Sequence, residues 1–465
     1  METEDDTLDL FAQKMVNVIA VVEGSFGDSG KGKFVDVLAG YADATVRGTG
    51  GANAGHTIVH DGVTHVVHLL PSSILRDKEG KQSIIGRGTV VNPGALAKEL
   101  VGLQIEGYSA NGLLVCQDAQ LVLPTHSILD HVLEASAGAG KIGTTKQGIG
   151  PAYADHRYRV GVRVNDLLNP DILAKNVHRS VEHARLILRG ADPEHVRAAV
   201  AAVEGGLFGG SDIVDEDVII AWMRTQAVAF TDCIADTDTI ICDLLAEGKR
   251  VLLEGAQGAM LSIDYGTYPF VTSSDCTLAG LARGAGLDVD DVGYAVNVTK
   301  AYATRVGEGP FPTELFGEDA DRLRSLGGEF GTTTNRPRRV GWMDLPLLRY
   351  GSSHASHYLA LTKADVLNGY EQVGVCTEYR YEGPDIRIGR KVLTKGQSIQ
   401  TAVPYPEVLE HCVPVIEYLP GWQEAFSRGN VHPNLDAFMK FVEDRADVWF
   451  DLLSTGRGRD EVVLL

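Results

Sequence analysis

One stretch near the start of the chain constrains the fold more than any other. Val16-Asn17-Val18-Ile19-Ala20-Val21-Val22 is a short apolar, β-branched run and reads as a buried strand. Glu23-Gly24-Ser25-Phe26-Gly27-Asp28-Ser29-Gly30-Lys31-Gly32-Lys33 follows at once, and Phe34, Val37 and Leu38 then have the spacing of a helix face. Strand, glycine-rich turn and helix together make a phosphate cradle. Glycine lets the backbone approach an anion, the helix N-terminus points N–H groups at it, and lysine adds charge. The common pattern GxxxxGK followed by Ser or Thr is not met, because Ser25 stands at its first glycine and Gly32 at its hydroxyl residue. Another group must then help hold a metal ion, and Asp28 is the candidate inside the loop.

A chain of 465 residues with 44% hydrophobic residues can bury a large core. No run of about 18 apolar residues is present, so no transmembrane helix and no membrane partner are expected. Met1–Asp9 carries Glu2, Glu4, Asp5, Asp6 and Asp9, unlike the basic start of a signal peptide, and residues 1–15 are expected to form a disordered acidic tail. Cys116, Cys233, Cys242, Cys276, Cys376 and Cys412 are scattered without a CxxC pair, which predicts reduced thiols and a cytoplasmic protein. The net charge of -20 argues against nucleic acid as a partner. Nucleotides stay open, since local Lys and Arg bind phosphate in an acidic protein.

Strands are expected at Ala44–Arg47, His65–Leu70, Leu113–Leu123, Arg250–Glu254, Val292–Ala303 and His357–Thr362, with a helix over Pro93–Gly107. A second glycine turn, Gly48–Thr57, follows the first of these strands. Asn169-Pro170 and Asp192-Pro193 are helix starts, so 170–227 reads as a mainly helical insertion, polar enough to lie on the surface. Strands alternating with helices predict a large, mostly parallel central sheet flanked by helices, P-loop-NTPase-like, with functional loops at the strand carboxyl ends. No linker-like stretch divides 16–465, which is read as a single domain.

Seven motifs occur in order: Gly27–Lys33, Gly50–Thr57, Ile142–Tyr153, Glu254–Gly258 with Gly266–Pro269, Thr304–Leu315, Thr332–Trp342 and Leu361–Leu367. Together they resemble the adenylosuccinate synthetase family from about Val16 to Leu465. The resemblance implies a GTP-dependent ligation in two steps. GTP phosphorylates O6 of IMP, and the amino group of L-aspartate then displaces that phosphate, giving adenylosuccinate, GDP and phosphate.

By resemblance, Asp28 would take the N1 proton of IMP and touch Mg²⁺, to which Gly55 would offer its carbonyl. His56 would donate to the migrating phosphoryl group. Lys31 would sit on the β/γ phosphates, with Gly27, Ser29, Gly30, Gly32, Lys33 and Thr57 completing the phosphate end. Asn53, Ala54, Thr144, Thr145, Gln257, Thr272 and Arg336 match IMP-contacting positions. Arg159 matches an arginine that reaches the site of the neighbouring subunit, which implies a homodimer. Thr333, Thr334, Arg336 and Arg338 match the aspartate loop, where guanidinium forks suit carboxylates. Lys363 and Asp365 resemble the guanine-reading Asn/Thr-Lys-x-Asp element, with Ser454, Thr455 and Gly456 as a second guanine contact.

Taken alone, several of these residues have plainer readings. Asp28 could cap the helix that follows it, and the basic loop at 331–339 could simply be solvated. The chain also departs from the family's usual residues. Ser29 stands for Glu, Phe26 for Trp, Ala52 for Asn, Lys146 for Gly, Gln147 for Arg, Asp275 for Asn, Asn335 for Gly and Pro337 for Arg. Two other readings are a sister synthetase acting on dGMP and a non-catalytic GTP-binding regulator. Asp28 argues against the first, because a carboxylate beside purine N1 would crowd a 2-amino group. Retention of both Asp28 and His56 argues against the second.

Overall fold

Every residue of β1, Val18–Val22, is buried, and its side chains alternate between two cores. Val18, Ala20 and Val22 pack with Ala44, Val46, Val251 and Leu253 on one face. Ile19 and Val21 pack with Phe34, Val35, Leu38 and Val296 on the other. A strand covered on both faces reads as a continuous apolar run, the mark of a parallel sheet buried between helices. A computed structural model describes residues 16–60, 62–209, 214–331, 337–427 and 429–465.

Ten strands form the central sheet: β1, β2 (Ala44–Arg47), β3 (Gln82–Ile85), β4 (Leu113–Cys116), β5 (Ile234–Ala235), β6 (Val251–Glu254), β7 (Tyr294–Lys300), β8 (Tyr358–Thr362), β9 (Trp449–Ser454) and β10 (Val462–Leu464). Their spatial order is β10-β9-β8-β7-β1-β6-β2-β3-β4-β5. All pairs are parallel except β9 with β10. β1 therefore lies between β6 and β7, and the helix after the glycine turn, α1 (Lys31–Ala39), covers one face.

Several sequence expectations shift in detail. Gly48–Thr57 ends early, because His56 and Thr57 open a hairpin strand, His56–His60, paired with Val63–Val67. The strand expected over His65–Leu70 is thus only the end of that hairpin. Leu113–Leu123 splits into β4 and a short strand at Gln120–Leu121. Helices α2 (Pro124–Ser136), α3 (Ile149–Tyr158), α4 (Pro170–Leu188), α5 (Pro193–Ala202) and α6 (Glu216–Ala227) follow. Asn169 and Asp192 cap α4 and α5 through Ile172 N–H and Glu194 N–H. These insertion helices do more than lie on the surface. Leu173, Val177 and Val181 of α4 and Ile219 and Met223 of α6 share a core with Leu121, Leu123 and Val132.

A second sheet, invisible in the sequence, pairs Gln372–Tyr381 with Cys412–Pro420 and Ser398–Ile399 antiparallel and with Met343–Asp344 parallel. All six cysteines are free. Among the described residues no helix is long and apolar enough to cross a membrane.

Candidate active site

Loops following β1, β2, β6, β8 and β9 line one cleft of about 840 Å³. Crevices outside strand carboxyl ends are where open α/β sheets bind ligands. The cleft brings together Gly27 to Lys33, Asn53 to Thr57, Thr144, Thr145, Gln257, Thr272, Arg338, Lys363, Asp365, Ser454 and Gly456. Arg159 and Thr455 are not among its lining. Arg159 ends α3, exposed and in a left-handed conformation (φ 64°). Thr333, Thr334 and Arg336, with Asn335, lie outside the described residues, as does the stretch 1–15.

At the phosphate end, Gly32 explains why the loop lacks a hydroxyl residue. A Cβ there would stand 3.1 Å from His56 Cβ and 3.2 Å from the Thr57 carbonyl oxygen. The hairpin strand that carries His56 leaves little room there for a Ser or Thr side chain. Lys31 is 4% exposed, and its Nζ donates to Glu23 Oε2 at 2.5 Å. Lys33 points away from the cradle. Its Nζ donates to Ser454 Oγ (2.8 Å) and to the Gly456 and Glu461 carbonyls (2.9 and 2.8 Å), tying α1 to the last loop of the chain. Burial lowers the Lys33 ammonium to about 8.

Asp28 takes a positive φ of 63°, a conformation that Asp tolerates better than most residues. Its Oδ2 forms an ion pair with Arg338 Nη2 at 2.9 Å. Arg338 Nη1 donates in turn to Glu329 at 2.7 Å, and Glu329 also accepts from Lys300 Nζ (2.9 Å) and the Tyr302 hydroxyl (2.6 Å). Burial pushes the Glu329 carboxyl up, but the Lys300 and Arg338 cations and the Tyr302 hydrogen bond outweigh it and hold it at about 2. Arg338, expected among the aspartate-loop residues, is thus moored by one carboxylate and set against another.

His56 Nδ1 pairs with Glu254 Oε1, and Glu254 is further fixed by Ser72 N–H (2.8 Å) and Ser72 Oγ (2.7 Å). The carboxylate on Nδ1 sets the ring's orientation and leaves Nε2 as the free nitrogen. Burial holds the His56 imidazole below its ordinary value, against the pull of Glu254. Burial thus favours the neutral form of the ring. An arriving anion favours the protonated form.

Elsewhere in the cleft, Asn53 Nδ2 donates to Thr272 Oγ1 at 3.4 Å, and Gln257 Oε1 is buried without a partner, open to a donor on a ligand. Lys363 Nζ donates to the Gly327 carbonyl at 2.9 Å, while Thr362 Oγ1 donates to the Ser29 carbonyl at 2.8 Å, joining the β8 loop to the glycine turn. Asp28 and the Gly55 carbonyl are hard oxygen donors on the same cleft. Among the described residues no cluster of three His, Cys, Asp or Glu could hold a metal. Such a sparse donor set fits Mg²⁺, which keeps waters and substrate phosphate oxygens in its shell.

Sequence reading missed three carboxylates, Glu23, Glu254 and Glu329. Glu23 follows β1 directly and Glu254 ends β6, so each is an acid at the end of an apolar strand beside a glycine turn. That was the available signal. Glu329 had none.

A parallel sheet with a strand-end phosphate cradle, a carboxylate–guanidinium pair and a carboxylate-oriented imidazole defines a nucleotide-dependent α/β enzyme. Residues 20–463 match the profile of adenylosuccinate synthetase. The chain is 40% identical to the adenylosuccinate synthetase of Pelobacter propionicus over 458 residues, covering 97% of this chain and 99% of that protein. Against the enzyme of Geobacillus kaustophilus the identity is 42% over 448 residues, covering 95% and 97%. The fully ligated adenylosuccinate synthetase from Plasmodium falciparum superposes with a TM-score of 0.83 at 32% identity, covering 97% of this chain and all of that one. A cyanophage S-2L succinoaminodeoxyadenylate synthetase shares the fold, with a TM-score of 0.55 at 19% identity over 97% of this chain and 96% of that one. The chain belongs to the adenylosuccinate synthetase family. It is a ligase of AMP biosynthesis that joins L-aspartate to IMP, with GTP as co-substrate.

Proposed function

We propose that this cleft runs the ligation through 6-phosphoryl-IMP, with Asp28 and His56 as its catalytic residues. The observation that carries the reading is that a carboxylate (Asp28) and a carboxylate-fixed imidazole (His56 on Glu254) line one cleft with the glycine–lysine loop. Asp28 takes the N1 proton of IMP, so that O6 attacks the γ-phosphorus of GTP and GDP departs. His56, protonated once phosphate charge surrounds it, donates to the phosphoryl oxygens as negative charge builds there. The amino nitrogen of aspartate then attacks C6, and phosphate leaves from that carbon.

Lys31 neutralises the β/γ phosphates, with Gly27, Ser29, Gly30, Gly32 and Thr57 around them, while Lys33 braces the base end. Asp365 accepts from guanine N1–H and N2–H₂, with Lys363, Ser454, Thr455 and Gly456 beside it. Asn53, Ala54, Thr144, Thr145, Gln257 and Thr272 hold IMP. Arg338 offers aspartate a guanidinium already moored by Glu329, and Thr333, Thr334 and Arg336 complete that site. Mg²⁺, held by Asp28 and the Gly55 carbonyl, would neutralise phosphate charge when bound. We read the protein as a cytoplasmic homodimer in which Arg159 reaches the neighbouring site, and Asp28 as the residue that favours IMP over dGMP.

The test is a substrate panel of IMP, dGMP and GMP with GTP or ATP, plus aspartate. GTP is expected to be consumed only when IMP and aspartate are both present. Asp28→Asn is expected to lose about 10²- to 10⁴-fold in kcat, the usual worth of one general base. GTP turnover with dGMP in place of IMP, or near-normal turnover by the variant, would overturn the assignment.

A further inference from the structure

Glu23 has no part in the mechanism above, yet four donors converge on its buried carboxylate. Lys31 Nζ donates to Oε2 at 2.5 Å and Ser29 N–H to the same oxygen at 3.3 Å. Ser25 Oγ and Ser29 Oγ donate to Oε1 at 2.6 and 2.7 Å. The Glu23 side chain is fully enclosed, and Lys31 is 4% exposed. Burial alone would raise the Glu23 carboxyl, but the Lys31 ammonium and these hydrogen bonds bring it below its ordinary value. Glu23 is therefore held as a carboxylate, and it fixes the lysine from behind the cradle. An ammonium has three donors. The one on Glu23 leaves two for phosphate oxygens.

We infer that Glu23 is the positioning residue for Lys31, and that it supplies from the end of β1 the carboxylate that position 29 lacks. Ser29 touches Glu23 through both its hydroxyl and its N–H, so an acidic side chain at 29 would bring a carboxylate to the same buried spot. This rests on the reading of Lys31 as the phosphate lysine. A lysine anchored in advance keeps its charge aimed into the cleft and loses little rotamer freedom when GTP arrives.

Carboxylate relocation has a distinctive signature: two substitutions that are each harmful and less harmful together than either alone. Glu23→Gln keeps the shape but leaves Lys31 buried and unpaired, and Ser29→Glu alone sets two carboxylates against one ammonium. Each is expected to lower kcat/KM for GTP by about tenfold or more. The dissociation constant for IMP measured alone should stay within about twofold, since Asn53, Thr144, Thr145, Gln257 and Thr272, read as holding IMP, lie on other loops of the cleft. The Glu23→Gln/Ser29→Glu double variant is expected to regain at least about fivefold over either single variant. Should Glu23→Gln fail to fold, recovery of folded, active protein by adding Ser29→Glu carries the same meaning. A silent Glu23→Gln, or a double variant no better than the single, overturns the inference. A parent protein that consumes no GTP with IMP and aspartate would instead overturn the proposed function.

Discussion

Glu329→Gln is the substitution whose effect the structure sizes most directly. Glu329 has no exposed side-chain surface and balances two cations, Lys300 Nζ at 2.9 Å and Arg338 Nη1 at 2.7 Å. Glutamine mimics the protonated acid in size and charge, so the substitution removes what ionisation contributes. A carboxyl held at about 2 instead of its ordinary 4.5 contributes about 3.5 kcal/mol, at about 1.4 kcal/mol per pH unit. Because the carboxyl is depressed in the folded state, that contribution is complete above pH 4.5 and fades as the pH falls through 2. Breaking a buried pair by deleting one partner costs about 3–5 kcal/mol, so two routes agree. The assay is urea unfolding of both proteins at pH 7 and pH 5, with kcat/KM for aspartate measured alongside. Stability is expected to drop by about 3.5 kcal/mol at both pH values, and aspartate use to weaken as Arg338 loses its mooring. A loss below about 0.5 kcal/mol would show that the cluster is neutral in balance and would refute the reasoning.

Three further outcomes are expected. Asp365→Asn should weaken use of GTP and improve use of XTP, whose 2-oxo group accepts from the new amide, each charge-assisted bond being worth about 1.5–3 kcal/mol; an unchanged GTP preference in kcat/KM would show that Asp365 does not read the base. GTP binding near pH 7 should take up a proton, because burial favours neutral His56 in the free protein and phosphate charge raises it; calorimetry in buffers of different ionisation enthalpy reads the uptake, which His56→Asn should abolish. Mixing Arg159→Leu with Asp28→Asn should restore part of the activity, since one site of each mixed dimer keeps both residues; no recovery despite proven subunit exchange would remove the shared-site reading.

The sheet was legible where strands are continuous apolar runs, as in Val18–Val22 and Val251–Glu254, because burial on both faces leaves no polar alternation to misread. The second sheet was not, since Gln372–Tyr381 pairs with residues about 40 positions away and only partner choice reveals it. Residue types marked the cleft well: glycines beside lysines, and Lys363-Ala364-Asp365 after a strand. They did not mark pairings. Nothing in the spacing says that Lys33 runs to the loop at Ser454 rather than to a phosphate, or that Arg338 meets Asp28 across some 300 residues of chain. Long flexible cations choose their partners in three dimensions, and a linear pattern records only that they are present.

The place of β1 between β6 and β7 has a consequence for synthesis on the ribosome. This strand is made more than 200 residues before either of its neighbours, at 251–254 and 294–300. Until they appear, Val-Ile-Ala-Val-Val has two unpaired edges, the description of an aggregation-prone segment. The phosphate cradle hangs from that strand, and the Lys33 clasp waits for Ser454 and Glu461. A nascent chain thus holds no GTP until residues 454–461 have been made, and holdase chaperones have a defined client in β1.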